Sequence, residues 1–122
     1  MKKFIFVICS LLILLACTEK LRADTPEKAK KELVDALREG DKDKALSLVS
    51  ESTFSYHYKF FGMLMKEGIA RDYALMLDNL KLTKIEKDRA EFTGTYTIKE
   101  HTLNPKAVFV LEENSWKLKM VK

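Results

Sequence analysis

Residues 90–99 read Ala90-Glu91-Phe92-Thr93-Gly94-Thr95-Tyr96-Thr97-Ile98-Lys99. Ala90, Phe92, Gly94, Tyr96 and Ile98 alternate with Glu91, Thr93, Thr95, Thr97 and Lys99. Successive side chains on a strand point to opposite faces. The stretch therefore predicts one half-buried strand with an apolar inner side and a wet outer side. Gly94, in mid-strand, predicts a bulge or sharp bend. The same period continues on either side. Leu80 and Leu82 open a strand that turns at Lys87-Asp88. Asn104-Pro105 breaks the chain, Ala107 to Leu111 form a short apolar run, Glu113-Asn114 turns, and Trp116, Leu118 and Met120 alternate with lysines. Four antiparallel strands follow, and a bend at Gly94 is what a curved sheet requires.

Upstream the period is helical. Thr25-Pro26-Glu27 can open a helix: the hydroxyl caps, proline is tolerated at the first position, and the carboxylate complements the positive end of the dipole. Ala29, Leu33, Ala36 and Leu37 recur at helical spacing, and Gly40 supplies the stop. Asp41 caps a second short helix carrying Ala45, Leu46 and Val49. Ser52 or Thr53 is placed to cap a third, on which Phe54, Tyr58, Phe61 and Met65 line one face with His57 and Leu64 flanking it. Tyr56, Phe60 and Met63 fall outside that stripe. A helix apolar nearly all round is usually buried between layers or forms part of an interface. After Gly68, Ile69 to Leu77 predict one more helix. The order is helices first and strands afterwards, an α+β domain.

At the start of the chain, Met1-Lys2-Lys3 precedes an apolar run from Phe4 to Ala16, and Leu14-Leu15-Ala16-Cys17 closes it. Two lysines, a short apolar stretch and a small residue at the cut site have the layout of a secretory signal. The run is too short for a spanning helix, which needs about 20 apolar residues. With its cysteine directly behind the small residue, the segment resembles a bacterial lipoprotein signal with its lipobox. That resemblance implies cleavage before Cys17, a diacylglycerol on its sulfur and acylation of the new amino terminus. The expected organisation is a signal peptide over 1–16, the lipidated cysteine and a tether over 17–24, and one α+β domain over 25–122. The same resemblance to bacterial lipoproteins, in which Asp after the cysteine favours retention in the inner membrane, implies from Thr18 the outer membrane, facing the periplasm, in a host with two membranes.

The whole chain has 22 Lys and Arg against 18 Asp and Glu, a net charge of +4. Lys2 and Lys3 leave with the signal. The remaining charges are interleaved, without the concentrated basic stripe that nucleic acid requires. Cys9 departs with the signal and Cys17 carries the lipid, so no thiol remains for a disulfide, a nucleophile or a metal site. His57 and His101 lack an accompanying group of Asp, Glu or Cys, and a metal site needs three or four convergent ligands. His57 is expected to be packed among aromatics. Glu91 reads as a solvated strand position, and Glu112-Glu113 borders a turn, its two side chains pointing to opposite faces.

The stretch Thr25-Pro26-Glu27-Lys28-Ala29 … Leu37-Arg38-Glu39-Gly40-Asp41 … Ala45-Leu46-Ser47-Leu48-Val49 resembles the start of small bacterial lipoprotein domains of the nuclear transport factor 2-like superfamily. Val108-Phe109-Val110-Leu111-Glu112-Glu113-Asn114-Ser115-Trp116-Lys117-Leu118 resembles that family's closing hairpin. The resemblance covers roughly residues 25–122 and implies a cone-like fold, with helices packed into a concave four-stranded antiparallel sheet. Enzymes of the superfamily, such as ketosteroid isomerases and polyketide cyclases, place Asp, His or Tyr on the inner sheet face and on the facing helices. Here the inner-face candidates are Ala90, Phe92, Tyr96, Ile98, Trp116, Leu118 and Met120. Proton abstraction needs a positioned base, and this face offers only the phenol of Tyr96, so no catalytic residue and no cofactor is expected.

Phe54, Tyr56, Tyr58, Phe60 and Phe61 supply five of the ten aromatic side chains beyond residue 16. Core packing explains part of this cluster; the remainder, with Met63, predicts a surface for a partner or ligand. Two readings stay open. In one, an envelope protein docks on the Phe54–Met65 segment. In the other, a small apolar molecule sits between sheet and helices, lined by Phe92, Tyr96, Trp116 and the aromatic helix. In both, the domain binds and does not catalyse, and the bilayer is reached through Cys17; a third reading, an enzyme of the cyclase or isomerase type, is disfavoured by the missing inner-face carboxylate.

Overall fold

The computed structural model describes residues 23–122. The expected signal peptide, Cys17 and most of the tether lie outside the described residues.

Helix α1 spans Pro26–Glu39. Thr25 Oγ1 accepts from the Lys28 amide at 3.1 Å, and Pro26 occupies the first turn. Gly40 ends the helix at φ +71°, the left-handed conformation that costs glycine least. The next amide, Asp41, returns to the Ala36 carbonyl at 2.9 Å. Asp41 also caps helix α2, Lys42–Leu46, by accepting from the Lys44 amide at 3.0 Å. A short 3₁₀ turn over Glu51–Thr53 leads into α3, Phe54–Lys66, and α4 follows over Ala70–Asp78. Thr53 stands at the start of α3 without a capping side-chain bond. Its Oγ1 turns back to the Ser50 carbonyl at 3.5 Å.

Four strands form one antiparallel sheet in the order β1 (Lys81–Ile85), β2 (Arg89–Thr93), β5 (Lys106–Glu112), β6 (Ser115–Val121). Ala90, Phe92, Ala107, Phe109, Trp116 and Leu118 are buried with Leu33, Leu37, Phe61, Leu77 and Leu80 in one core. Phe92 and Phe109 meet edge to face at 5.3 Å, the geometry that ring quadrupoles favour. The free edge of β6 is partly closed by the segment after α2. There the Ser50 amide donates to the Leu118 carbonyl at 2.7 Å, and the Leu118 amide donates to Leu48 at 2.8 Å. Glu113 and Asn114, at φ +50° and +64°, make the two-residue turn between β5 and β6, the left-handed pairing that suits a tight hairpin.

One expectation is corrected. Residues 90–98 are two strands rather than one: β2 ends at Thr93, and β3 (Tyr96–Ile98) leaves the main sheet. It pairs with β4 (His101–Leu103) in a separate two-stranded hairpin, Tyr96 opposite Leu103 and Ile98 opposite His101. The cause lies at Gly94. A Cβ there would sit 2.9 Å from Leu80 Cδ2 and 3.5 Å from the Asn79 carbonyl. The chain passes so close to the α4–β1 connection that a side chain at 94 would have to displace the buried Leu80 side chain, and it turns away from the sheet immediately afterwards. Alternation survives across the bend because period two is common to one long strand and two short ones.

Candidate functional site

The cluster singled out in the sequence lies on α3, and the structure divides it three ways. His57, Phe61 and Leu64 form the buried face, with Phe61 fully enclosed. The expected stripe of Phe54, Tyr58, Phe61 and Met65 is therefore turned: Phe54 and Tyr58 are exposed, and the flanking positions go inside. The reason is local. His57 Nδ1 lies 2.9 Å from the Thr53 carbonyl, one turn back, so the imidazole satisfies a polar atom without a distant partner and can enter the core. Burial pushes its pKa below the ordinary value, which keeps it neutral. As expected from the sequence, it is a packed histidine: its ring lies 5.3 Å from both Tyr56 and Phe61.

Phe54 and Tyr58 occupy the flank beside α2. Lys42 Nζ lies 3.8 Å from the centre of the Tyr58 ring, a cation–π contact. Gly62 makes room for this lysine, whose ammonium is 3.2 Å from where a Cβ would stand. Phe54 borders a shallow groove with Val49, Glu112 and Lys117. In that region Ser50 Oγ donates to Glu112 Oε2, while Glu112 Oε1 accepts from the Glu51 amide at 3.2 Å. Both carboxylate oxygens are thus engaged in fastening the 3₁₀ turn to the β5–β6 hairpin.

The other flank of α3 faces α4 and the β3–β4 hairpin across an apolar cleft of about 510 Å³. Phe60, Met63 and Leu64 line one wall; Ile69, Tyr73 and Met76 line the second; Tyr96, Ile98 and Leu103 line the third, with Pro105 also lining the cleft. Asp72 is the one charged residue among them. Tyr56 stacks on Phe60 at 5.8 Å, and Phe60 meets Tyr73 edge-on at 5.2 Å. The apolar surface therefore runs from the outside of α3 into the cleft. Burial pushes the Tyr73 phenol well above its usual range, so it stays protonated at neutral pH. Met63, Ile69, Ile98 and Leu103 are 41–50 % exposed.

Of the residues named from sequence, Phe60, Met63 and Tyr96 meet at this cleft, and Tyr56 continues it. Phe92 and Trp116 do not reach it: they are 1 % and 6 % exposed in the core beneath the sheet. A ligand space lined by Phe92, Tyr96 and Trp116 together is thus corrected, because Gly94 carries Tyr96 away from Phe92. Asp72, Tyr73, Met76 and Leu103 were not anticipated. Nothing in their local pattern separates them from ordinary helix and loop residues.

Elsewhere, Glu91 is less solvated than its alternation suggested. Lys106 Nζ lies 3.2 Å away and Arg89 Nε 3.5 Å, on the sheet face opposite Phe92. The hydrogen bond from Lys106 holds its carboxyl below the usual range. Among the described residues, no group of three or more His, Cys, Asp or Glu is placed to hold a metal ion, and no helix is long and apolar enough to cross a membrane. No protein-family model matches the chain, and no curated protein matches it.

Proposed function

We propose that the chain is an envelope lipoprotein, anchored through acylated Cys17, whose domain is a non-catalytic interaction module of the nuclear transport factor 2-like, cone-fold kind. Its working surface is the cleft between α3, α4 and the β3–β4 hairpin. The observation that carries this reading is the lining: four side chains stand about half exposed around an apolar cleft containing one carboxylate, Asp72. The largest exposed apolar patch of a soluble domain is often its interaction site. The cone-fold reading draws on the helices-then-sheet order and the four-stranded antiparallel sheet.

A second reading has its own support. The cleft's volume falls within the range of small-molecule pockets, about 300–1,000 Å³, so a small apolar ligand is the alternative occupant.

Two experiments test the proposal. Cys17→Ala should leave an uncleaved, unacylated precursor; a normally processed soluble product would refute the anchor. A photo-crosslinking residue at Met63 should form adducts in intact cells, while the same residue at Lys66, on the polar ridge of α3, should not. Absence of any adduct from Met63 would remove the cleft as the working surface. A retained small molecule in a native mass spectrum would select the ligand reading over the protein partner.

A further inference from the structure

We infer that the outward face of the four-stranded sheet is a membrane-contact surface, a cationic platform that lies on anionic phospholipid headgroups once Cys17 is anchored. The inference rests on the lipoprotein reading above and goes beyond it, by assigning which face of the domain meets the bilayer.

Strand geometry gathers the charge. In the sequence the basic residues of the strands are interleaved with others, but alternate strand positions share one face. Phe92, Phe109 and Leu118 lie in the core and set the inner face, so the registers define the outer one. Lys81, Thr93 and Lys106 form one row across it. Lys122 continues that row, exchanging backbone hydrogen bonds with Lys106 at 2.8 and 3.2 Å. In the next row Lys84 stands opposite Glu91, whose carboxylate also has Lys106 Nζ at 3.2 Å and Arg89 Nε at 3.5 Å. Lys117 is paired with Val110, and Lys119 lies beside Arg89 and Val110. Seven cationic side chains thus share this face with Glu91 and Glu112 on the strands and with Glu86 and Asp88 at the β1–β2 turn. The helices pack on the other side: their buried residues join Phe92, Phe109 and Leu118, whereas Val108, buried on the outer face, is not part of that core.

The two layers differ in sign. Residues 81–122 carry nine Lys and Arg against six Asp and Glu, while residues 23–80 carry nine against eleven. An anionic surface therefore attracts the sheet and repels the helical layer. The attraction acts within a Debye length, about 8 Å at physiological ionic strength, so it favours the face that lies flat.

The tether allows that pose. Ala23 stands at the free edge of the same sheet, where its carbonyl accepts from the Trp116 amide at 2.9 Å and its amide donates to Ser115 Oγ at 3.3 Å. Residues 17–22 can span at most about 22 Å when extended. Four strands spaced about 4.8 Å apart make a sheet about 14 Å wide, so the leash exceeds the width it must clear. An excess of three charges holds a free protein weakly. Here the acyl chains supply the affinity and the basic face supplies the second signal, choosing the orientation. Helix α3 and its cleft are then turned away from the bilayer.

The test uses the processed, lipidated chain reconstituted into phosphatidylcholine vesicles with and without phosphatidylglycerol. Cys17 is acylated, so an introduced cysteine is the one thiol open to a fluorescent label. It is placed at Thr93, on the outer face, or at Lys66, on α3. Nitroxide-labelled headgroups should quench the Thr93 label more than the Lys66 label by about threefold or more in anionic vesicles. The difference should vanish without phosphatidylglycerol, at high salt, and in the triple variant Lys81→Glu, Lys119→Glu, Lys122→Glu. Among the described residues none of these three lysines is in an ion pair, and an unchanged melting temperature would show that the fold survives their reversal. Equal quenching, the result for a face that meets an acidic protein or nucleic acid instead, overturns the inference and leaves the anchor standing. A difference that survives salt or charge reversal also overturns it. A chain without an acyl group on Cys17, and not retained on vesicles, overturns the anchor and the inference together.

Discussion

The Lys30 ammonium donates to the Leu80 carbonyl at 2.7 Å, tying the first helix to the residue where the helices give way to the sheet. The same ammonium donates to the Asp78 carbonyl at 3.0 Å and lies 5.4 Å from the centre of the Phe92 ring. Lys30 thus satisfies the Asp78 carbonyl left open at the end of α4 and the Leu80 carbonyl just before β1. Lys30→Met keeps most of the stem and removes the donor. It should cost about 1 kcal/mol, the usual net worth of such a bond, read as a lower urea midpoint at unchanged slope. An unchanged midpoint would mean that water replaces the lysine without loss.

Leu80 also fixes the position of Gly94. Its Cδ2 stands 2.9 Å from the point that a Cβ at residue 94 would occupy, and Leu80 is 3 % exposed, so it has little room to retreat. Gly94→Ala should destabilise by about 1–3 kcal/mol, the range for overpacking. In combination with Leu80→Ala, which opens the space, the two effects should be less than additive. Strict additivity in a double-mutant cycle would show that the glycine is there for another reason.

His57 gives a pH dependence with a defined sign. Burial lowers its pKa in the folded state below the ordinary 6.5, so the unfolded chain takes up a proton first as the pH falls. Stability is therefore full above about 6.5 and declines on acidification from there toward the lowered folded value. His57→Gln keeps a donor able to reach the Thr53 carbonyl but cannot titrate. Between pH 7 and 5 the wild-type unfolding free energy should fall while that of the variant changes less. Parallel curves would exclude His57 as the source. Carboxylates such as Glu91, whose pKa is also lowered, act below this window.

The parts of the fold legible in the sequence were those written in local chemistry. Thr25, Gly40 and Asp41 marked helix ends because a cap is decided by a few neighbouring atoms. Ala90, Phe92, Trp116 and Leu118 marked the inner face of the sheet because alternation is decided within one strand. The β3–β4 hairpin was hidden for the same reason: a bend at Gly94 leaves period two intact, and His101–Leu103 is too short to carry a pattern. The cleft was half legible. Phe60, Met63 and Tyr96 were named, but their neighbours depend on how the hairpin lies against α4, a tertiary fact that no single element encodes.

Helix α3 carries the sharpest contrast, because its sequence offers apolar residues on every face and composition alone cannot choose between them. Tyr56 and Phe61 are the deciding pair: Tyr56 is 59 % exposed and Phe61 is fully buried. Phe61→Ala removes a ring from the core and should cost about 3–5 kcal/mol. Tyr56→Ala loses its stacking on Phe60 at 5.8 Å and its edge contact with His57 at 5.3 Å, both made by an exposed ring, and should cost no more than about 1 kcal/mol. Chemical denaturation of the two variants reads the difference directly. Comparable losses would mean that α3 is rotated from the orientation described, which would place Tyr56 inside and close the cleft. A large loss at Phe61 alone leaves Tyr56, Phe60 and Met63 free to meet a partner. Tyr56→Ala should then weaken crosslinking from Met63 while the fold stays intact.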